Sequence, residues 1–285
     1  MAHVDTRIID LRYDGREGVL GAWCCGELLI DCGPTPCLAR LLEGLGDAPP
    51  RALLLTHVHL DHAGAAGALV ARWPELPVFV HPRGAPHLAD PTRLVASARR
   101  VFGSRFDELY GEVRPVPEAN LHTIEDGLEI GSIRCAWTPG HAWHHVAFLD
   151  RDSEIAFTGD VAGVRLAAGV VIPPTPPPDI DLRAWRSSLE LLEGWRARAL
   201  ALPHYGLVER PLEHMALLRE ALERHERWAA AGEEAFLLSL REYLGESLPE
   251  PAVEDYMFVA LARPSAAGLR RWLERSASAH TTGAA

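Results

Sequence analysis

His57-Val58-His59-Leu60-Asp61-His62 gathers three imidazoles and a carboxylate into six residues, directly after the apolar run Ala52-Leu53-Leu54-Leu55. His57 and His59 alternate as residues of an extended segment do, so their side chains leave the chain on one side and can share a cation. Asp61 and His62 fall where Ala63 to Val70 starts a helical pattern, which turns them in new directions and lets them serve a second cation beside the first. The pattern reads as strand, ligand loop, helix. Imidazole mixed with carboxylate suits zinc, manganese or iron, and suits calcium poorly.

Three later segments can supply the remaining ligands. Thr138-Pro139-Gly140-His141 presents His141 on a tight turn after a strand ending at Trp137. Phe157-Thr158-Gly159-Asp160 repeats that arrangement with a carboxylate, whose two oxygens can bridge a pair of cations, and Leu202-Pro203-His204-Tyr205-Gly206 repeats it with an imidazole. Strand ends and the loops after them are where binding residues concentrate. Each segment is weak alone; their number and order give them weight.

The elements that must position these residues alternate. Gly26 to Pro34 reads as a buried strand ending in a turn, Leu38 to Gly46 as a short helix, and Leu76 to Val80 as a second strand. Pro86 to Tyr110 is a helical or irregular stretch long enough to wall a site. Ile130 to Trp137, Val146 to Leu149 and Glu154 to Thr158 are further strands. Pro173 to Pro178 can be neither helix nor central strand and is a stiff loop. Asp181 is a plausible N-cap for a helix with Leu182, Trp185, Leu189 and Leu192 on its core face. From Pro211 the pattern is helical, with Phe236 to Leu244 and Gly268 to Ser276 as further helices. Tyr256 to Leu261 fits a strand or a buried helix equally, and Ser278 to Ala285 is expected to fray. The division is a catalytic unit over 1–210 and a helical extension over 211–285 packed on it.

Composition narrows the function classes. The 285 residues are 48% hydrophobic, enough for a sizeable core. Arg and Lys total 28 against 39 Asp and Glu, a net charge of −11 that disfavours a nucleic-acid surface. Every one of those cations is arginine; the absent lysine removes Schiff-base chemistry and a Walker-type phosphate loop. No stretch reaches membrane-spanning length and no secretory signal is read at the N-terminus, so a cytoplasmic location is expected. Cys24, Cys25, Cys32, Cys37 and Cys135 are odd in number and form no CxxC pair, which points to buried free thiols.

From Asp31-Cys32-Gly33 through the His-x-His-x-Asp-His cluster, Thr-Pro-Gly-His, Gly-Asp and the final histidine, the first 210 residues or so resemble the metallo-β-lactamase-fold superfamily. The resemblance implies an α/β fold, a four-layer αββα sandwich with the site at one edge between two sheets. It implies that His57, His59 and His141 bind one metal, Asp61, His62 and His204 a second, and that Asp160 bridges them. An aspartate at 160 is similar to the glyoxalase II and lactonase branches rather than to true β-lactamases. Two departures stand out: His144 replaces the family's glycine before His145, and Pro203-His204-Tyr205-Gly206 replaces the commoner Pro-Gly-His-Gly.

The implied cofactors are two divalent cations, zinc first and iron or manganese next. Held about 3.5–4 Å apart, such a pair turns a bridging water into hydroxide near neutral pH and polarises a scissile carbonyl or phosphoryl oxygen. The expected function is hydrolysis of a small ester, thioester or lactone, with Asp61 carrying the proton, Tyr205 donating to the oxyanion, and Asp31 bracing the ligands. His144 and His145 are expected to support the ligands, and Trp143 and the proline loop to wall the pocket; no role falls to His3, His122, His214, His225 or His280. Two other readings are kept: a mononuclear iron oxidoreductase like the persulfide dioxygenases, and a non-catalytic metal-binding scaffold. The expected partner is a small-molecule substrate, with neither nucleic acid nor membrane, and a homodimer is possible.

Overall fold

The apolar segments build two six-stranded sheets whose side chains alternate between two cores. The computed structural model describes residues 5–46, 48–166 and 169–282, without the side chains of 279–282. The first sheet takes β1 (Thr6–Asp10), β2 (Gly21–Cys25), β3 (Leu28–Ile30), β4 (Ala52–Leu54), β5 (Val78–Val80) and β6 (Leu121–Thr123) in chain order. The second takes β7 (Glu129–Ile130), β8 (Ile133–Trp137), β9 (Val146–Asp150), β10 (Ile155–Phe157), β11 (Ala199–Leu202) and β12 (Gly206–Val208), again in order.

The two-residue period explains the layering. Trp23, Cys25, Ile30 and Leu54 pack against Val146, Phe148, Phe157 and Ala201 to form the core between the sheets. Their neighbours Cys24, Leu29 and Leu53 on one sheet, and Ala147, Leu149, Leu200 and Leu202 on the other, face outward into the helix-covered core. The result is the four-layer sandwich that the resemblance implied.

The helices are α1 (Leu38–Leu45), α2 (Leu60–Ala63), α3 (Ala66–Arg72), α4 (Ala85–Ala89), α5 (Thr92–Phe102), α6 (Phe106–Tyr110), α7 (Leu182–Gly194), α8 (Pro211–Ala230), α9 (Glu233–Gly245), α10 (Glu250–Val259) and α11 (Ala262–Thr282). Asp181 caps α7, its Oδ1 accepting from the backbone N–H of Arg183 and Ala184. Phe236, Leu240, Leu244, Val253, Tyr256 and Leu269 from the last helices lie in the same buried cluster as Leu166, Val171 and Leu218. The C-terminal helices therefore share a core with the sandwich.

Several expectations change in detail. The strand read over 26–34 is confined to Leu28–Ile30, because Asp31 and Gly33 take positive φ of 56° and 72° and start the turn toward the ligands. The stretch at 256–261 is helical: α10 runs to Val259 and the chain reverses at Leu261, φ 49°, into α11. Fraying from Ser278 is not what is seen, since α11 runs to Thr282; residues 283–285 lie outside the described residues. All five cysteines are free and buried. No described helix is long and apolar enough to cross a membrane.

Candidate metal centre

Four strand ends converge on one edge of the sandwich. β8 and β10 both run antiparallel to β9, and β10 runs parallel to β11, so the turns carrying His141, Asp160 and His204 all leave the second sheet at one end. The loop after β4 reaches them from the first sheet, pinned where Val146 N–H donates to Thr56 O at 2.7 Å. Gly140 can make its turn because φ is 138° and no Cβ stands between it and the Trp185 backbone.

All seven predicted ligands meet there. His57 Nε2 lies 3.0 Å and His141 Nε2 2.9 Å from His59 Nδ1, a first cluster. His62 Nε2 and His204 Nε2 each lie 3.6 Å from Asp61 Oδ2, a second. Asp160 stands between them, with Oδ2 3.4 Å from His141 Nε2 and Oδ1 3.3 Å from His62 Nε2 and 3.6 Å from His204 Nε2.

The outward ring nitrogens fix the tautomers. His141 Nδ1–H donates to Pro174 O at 2.9 Å, His204 Nδ1–H to Val19 O at 2.8 Å, and His62 Nδ1–H to Asp31 Oδ2 at 2.9 Å. Thr56 Oγ1 donates to Asp31 Oδ2 at 2.8 Å and is left to accept from His57 Nδ1–H at 3.0 Å. In the neutral form of these four rings Nε2 therefore carries a lone pair aimed inward. Among the described residues His62 Nε2 and Asp160 Oδ1 are buried without a hydrogen-bond partner, which is costly unless something else occupies the space between them. Nitrogen and carboxylate donors with inward lone pairs, grouped in threes, fit divalent cations.

The electrostatics differ between the clusters. Burial, reinforced by the other imidazoles, pushes His57 well below the usual histidine range and His59 down to about 3. At His62 and His204 burial acts in the same direction but is outweighed by the aspartates, Asp160 foremost, and both rise. Asp160 falls well below the carboxylate range and Asp61 to about 2, since His62 and His204 overcome the burial that would raise them.

A cavity of about 340 Å³ opens over this floor, walled by α5, the proline loop and the turn after α10. Arg93, Arg100, Phe102 and His144 line it, as do Pro176, Pro177, Val259 and Leu261. His87 also lines it, whereas His81 stacks on Trp137. Tyr205 does not: it lines a separate surface hollow with Arg165 and Leu207, so the oxyanion role expected of it has no geometric support. Trp143 is likewise outside, stacked on Trp137 with ring centroids 5.8 Å apart. His144 Nδ1 accepts from Val58 N–H at 3.4 Å, and His145 Nδ1 pairs with Thr138 Oγ1 at 2.8 Å.

The sequence reading missed the carbonyls of Val19 and Pro174, which no side-chain pattern announces. It also passed over Thr56, whose place directly before the motif was the available signal. His3 and the His280 side chain lie outside the described residues.

The Metallo-beta-lactamase superfamily model matches residues 26–204. The metallo-beta-lactamase fold-containing protein ST1585 of Sulfurisphaera tokodaii is 30% identical over 216 residues, 71% of this chain and 78% of that protein. Its crystal structure superposes with a TM-score of 0.64 over 78% of this chain and 86% of that one, at 26% identity. A hydroxyacylglutathione hydrolase of Xylella fastidiosa is 33% identical over 152 residues, 52% of this chain but 45% of that enzyme. TTHA1429 from Thermus thermophilus shares the fold over 95% of this chain, C-terminal helices included, with a TM-score of 0.62, 21% identity and 94% of its own chain covered.

Proposed function

Because the chain belongs to the metallo-beta-lactamase superfamily, whose matched relatives are mostly hydrolases, we propose that it is a dinuclear metallohydrolase acting on a small ester, thioester or lactone. The observation that carries this reading is Asp160, whose two carboxylate oxygens reach different histidine clusters. His57, His59 and His141 would hold one cation, Asp61, His62 and His204 the other, with zinc the first choice and iron or manganese next. Bound there, the cations would supply Lewis acidity and a water acidic enough to attack at neutral pH.

The chain's own residues do the rest. Asp61 borders the cavity with its side chain 18% exposed, so it can take a proton from the attacking water and return it to the leaving group. The hydrogen bonds from His62, His141 and His204 to Asp31, Pro174 and Val19 keep the rings from rotating during turnover. Leu94, Phe102, Val259 and the prolines restrict water over the floor. Residues 1–210 carry the chemistry in this reading, and 211–285 complete the cavity through Val259 and Leu261.

The test is a screen of the metal-loaded protein against esters, thioesters and lactones beside His62→Ala and Asp61→Asn. Turnover by the parent and a loss of about 100-fold or more in each variant supports the proposal. A single bound iron with oxygen uptake on a persulfide would favour the oxidoreductase reading instead.

A further inference from the structure

The cavity wall formed by α5 is amphipathic toward the cavity rather than toward the core. No side chain of α5 is fully buried, yet two adjacent rows on it line the cavity: Leu94, Ala98 and Val101, and beside them Arg93, Ser97 and Arg100. Both rows follow helical i, i+4, i+7 spacing. Val101 remains 41% exposed, so the apolar row is incompletely covered by the protein itself.

Arg93 and Arg100 differ from Arg99 and Arg105 beside them. Acidic residues outnumber arginines 39 to 28, and nearby Arg99 and Arg105 are paired with Asp107 and Asp14 at 2.6 and 2.7 Å. Among the described residues, no carboxylate lies within ion-pair distance of Arg93 or Arg100. Arg93 sits in the first turn of α5, where the helix dipole disfavours a cation; Asp90 Oδ1 accepts from Thr92 N–H at 3.1 Å at that helix end and makes no ion pair with Arg93. The lining carboxylate outside the ligand set, Asp179, directly follows the proline loop rather than lying on α5, which leaves the α5 wall positive.

Resting on the hydrolase reading, we propose that the substrate is an amphipathic ester or thioester carrying an anionic group: its apolar chain lies along Leu94, Ala98, Val101 and Leu261, and its carboxylate or phosphate is bound by Arg93 and Arg100. The arginines are seven residues apart, about 10 Å along the helix, so a single anionic group would sit between them within reach of two long side chains. Arg carries the recognition because its fork matches either anion. In the reaction, water oxygen bonds to the acyl carbon, the carbon–sulfur or carbon–oxygen bond breaks with its electron pair leaving on the thiol or alcohol, and that group takes the proton. The products are a carboxylic acid and the anionic thiol or alcohol.

The test uses non-hydrolysable thioethers on the metal-loaded protein, so that binding is read without turnover. S-hexyl 3-mercaptopropionate and S-hexyl phosphopantetheine supply carboxylate and phosphate, and S-hexyl N-acetylcysteamine is the neutral control. Isothermal titration is expected to show at least one anionic thioether binding about tenfold or more tightly than the control, with the better arm identifying the anion. Arg93→Gln/Arg100→Gln should bring that ratio to about one. Equal affinity of all three ligands, weak or strong, overturns the proposal. So does a preference that survives the double substitution, which would place the anion elsewhere. Binding as expected, with the matching thioesters left unhydrolysed, would remove the hydrolase reading and leave the anionic subsite standing.

Discussion

The Asp31 carboxylate lies 2.9 Å from His62 Nδ1, and through Thr56 the same group steadies His57. One side chain outside the ligand set thus braces a histidine from each cluster. Thr56 N–H, 2.8 Å from Asp31 Oδ1, holds the carboxylate in return. Asp31→Asn keeps a residue tolerant of the 56° φ but loses the charge and one acceptor oxygen. Metal affinity is expected to fall by about 10–100-fold with the fold intact, read by competition against a chelating dye and by circular dichroism.

Gly140 lets the His141 turn lie against α7. A Cβ there would stand 2.4 Å from Trp185 Cα, and φ is 138°. Gly140→Ala is expected to destabilise by about 2–4 kcal/mol, lowering Tm and loosening metal at the first cluster together. An unchanged Tm would show that the turn relaxes freely.

His225 is buried in α8 between Trp228 and Phe236, and neither ring nitrogen has a hydrogen-bond partner among the described residues. Burial, aided by Arg224, lowers its pKa to about 3. The unfolded chain binds this proton below about 6.5 while the folded chain does not until about 3, so stability falls with pH across that window, by up to about 1.4 kcal/mol per unit. His225→Leu is expected to raise Tm at neutral pH by about 2–4 °C and to flatten the acid limb of denaturation curves.

Cation binding at the second cluster must displace protons. His62 and His204 have raised pKa values in the metal-free protein, set by the neighbouring aspartates against the effect of burial. Affinity there should therefore rise with pH, with protons released on loading, and a weakly buffered titration followed by an indicator dye reads them directly. Loading without proton release would contradict these charge states.

Much of this centre is legible in the chain because ligand chemistry restricts residue type. His57, His59, Asp61 and His62 are contiguous, and His141, Asp160 and His204 each follow an apolar strand. The αββα layering came from the resemblance rather than from periodicity. What was hidden depends on distant backbone: the Val19 and Pro174 carbonyls reach His204 and His141 from 185 and 33 residues away. Tyr205 misled because adjacency to a ligand does not fix direction; its side chain faces another hollow. The arginines of α5 could be named but not placed, since only the packed helix decides that Arg93 and Arg100 face the cavity while Arg99 pairs with Asp107.

Elemental analysis of the purified chain beside His62→Ala tests the proposed two-cation centre, in which Asp160 would contact both ions. About two metal ions per parent chain and clearly fewer in the variant are expected. One iron per chain, unchanged by the substitution, would contradict that centre.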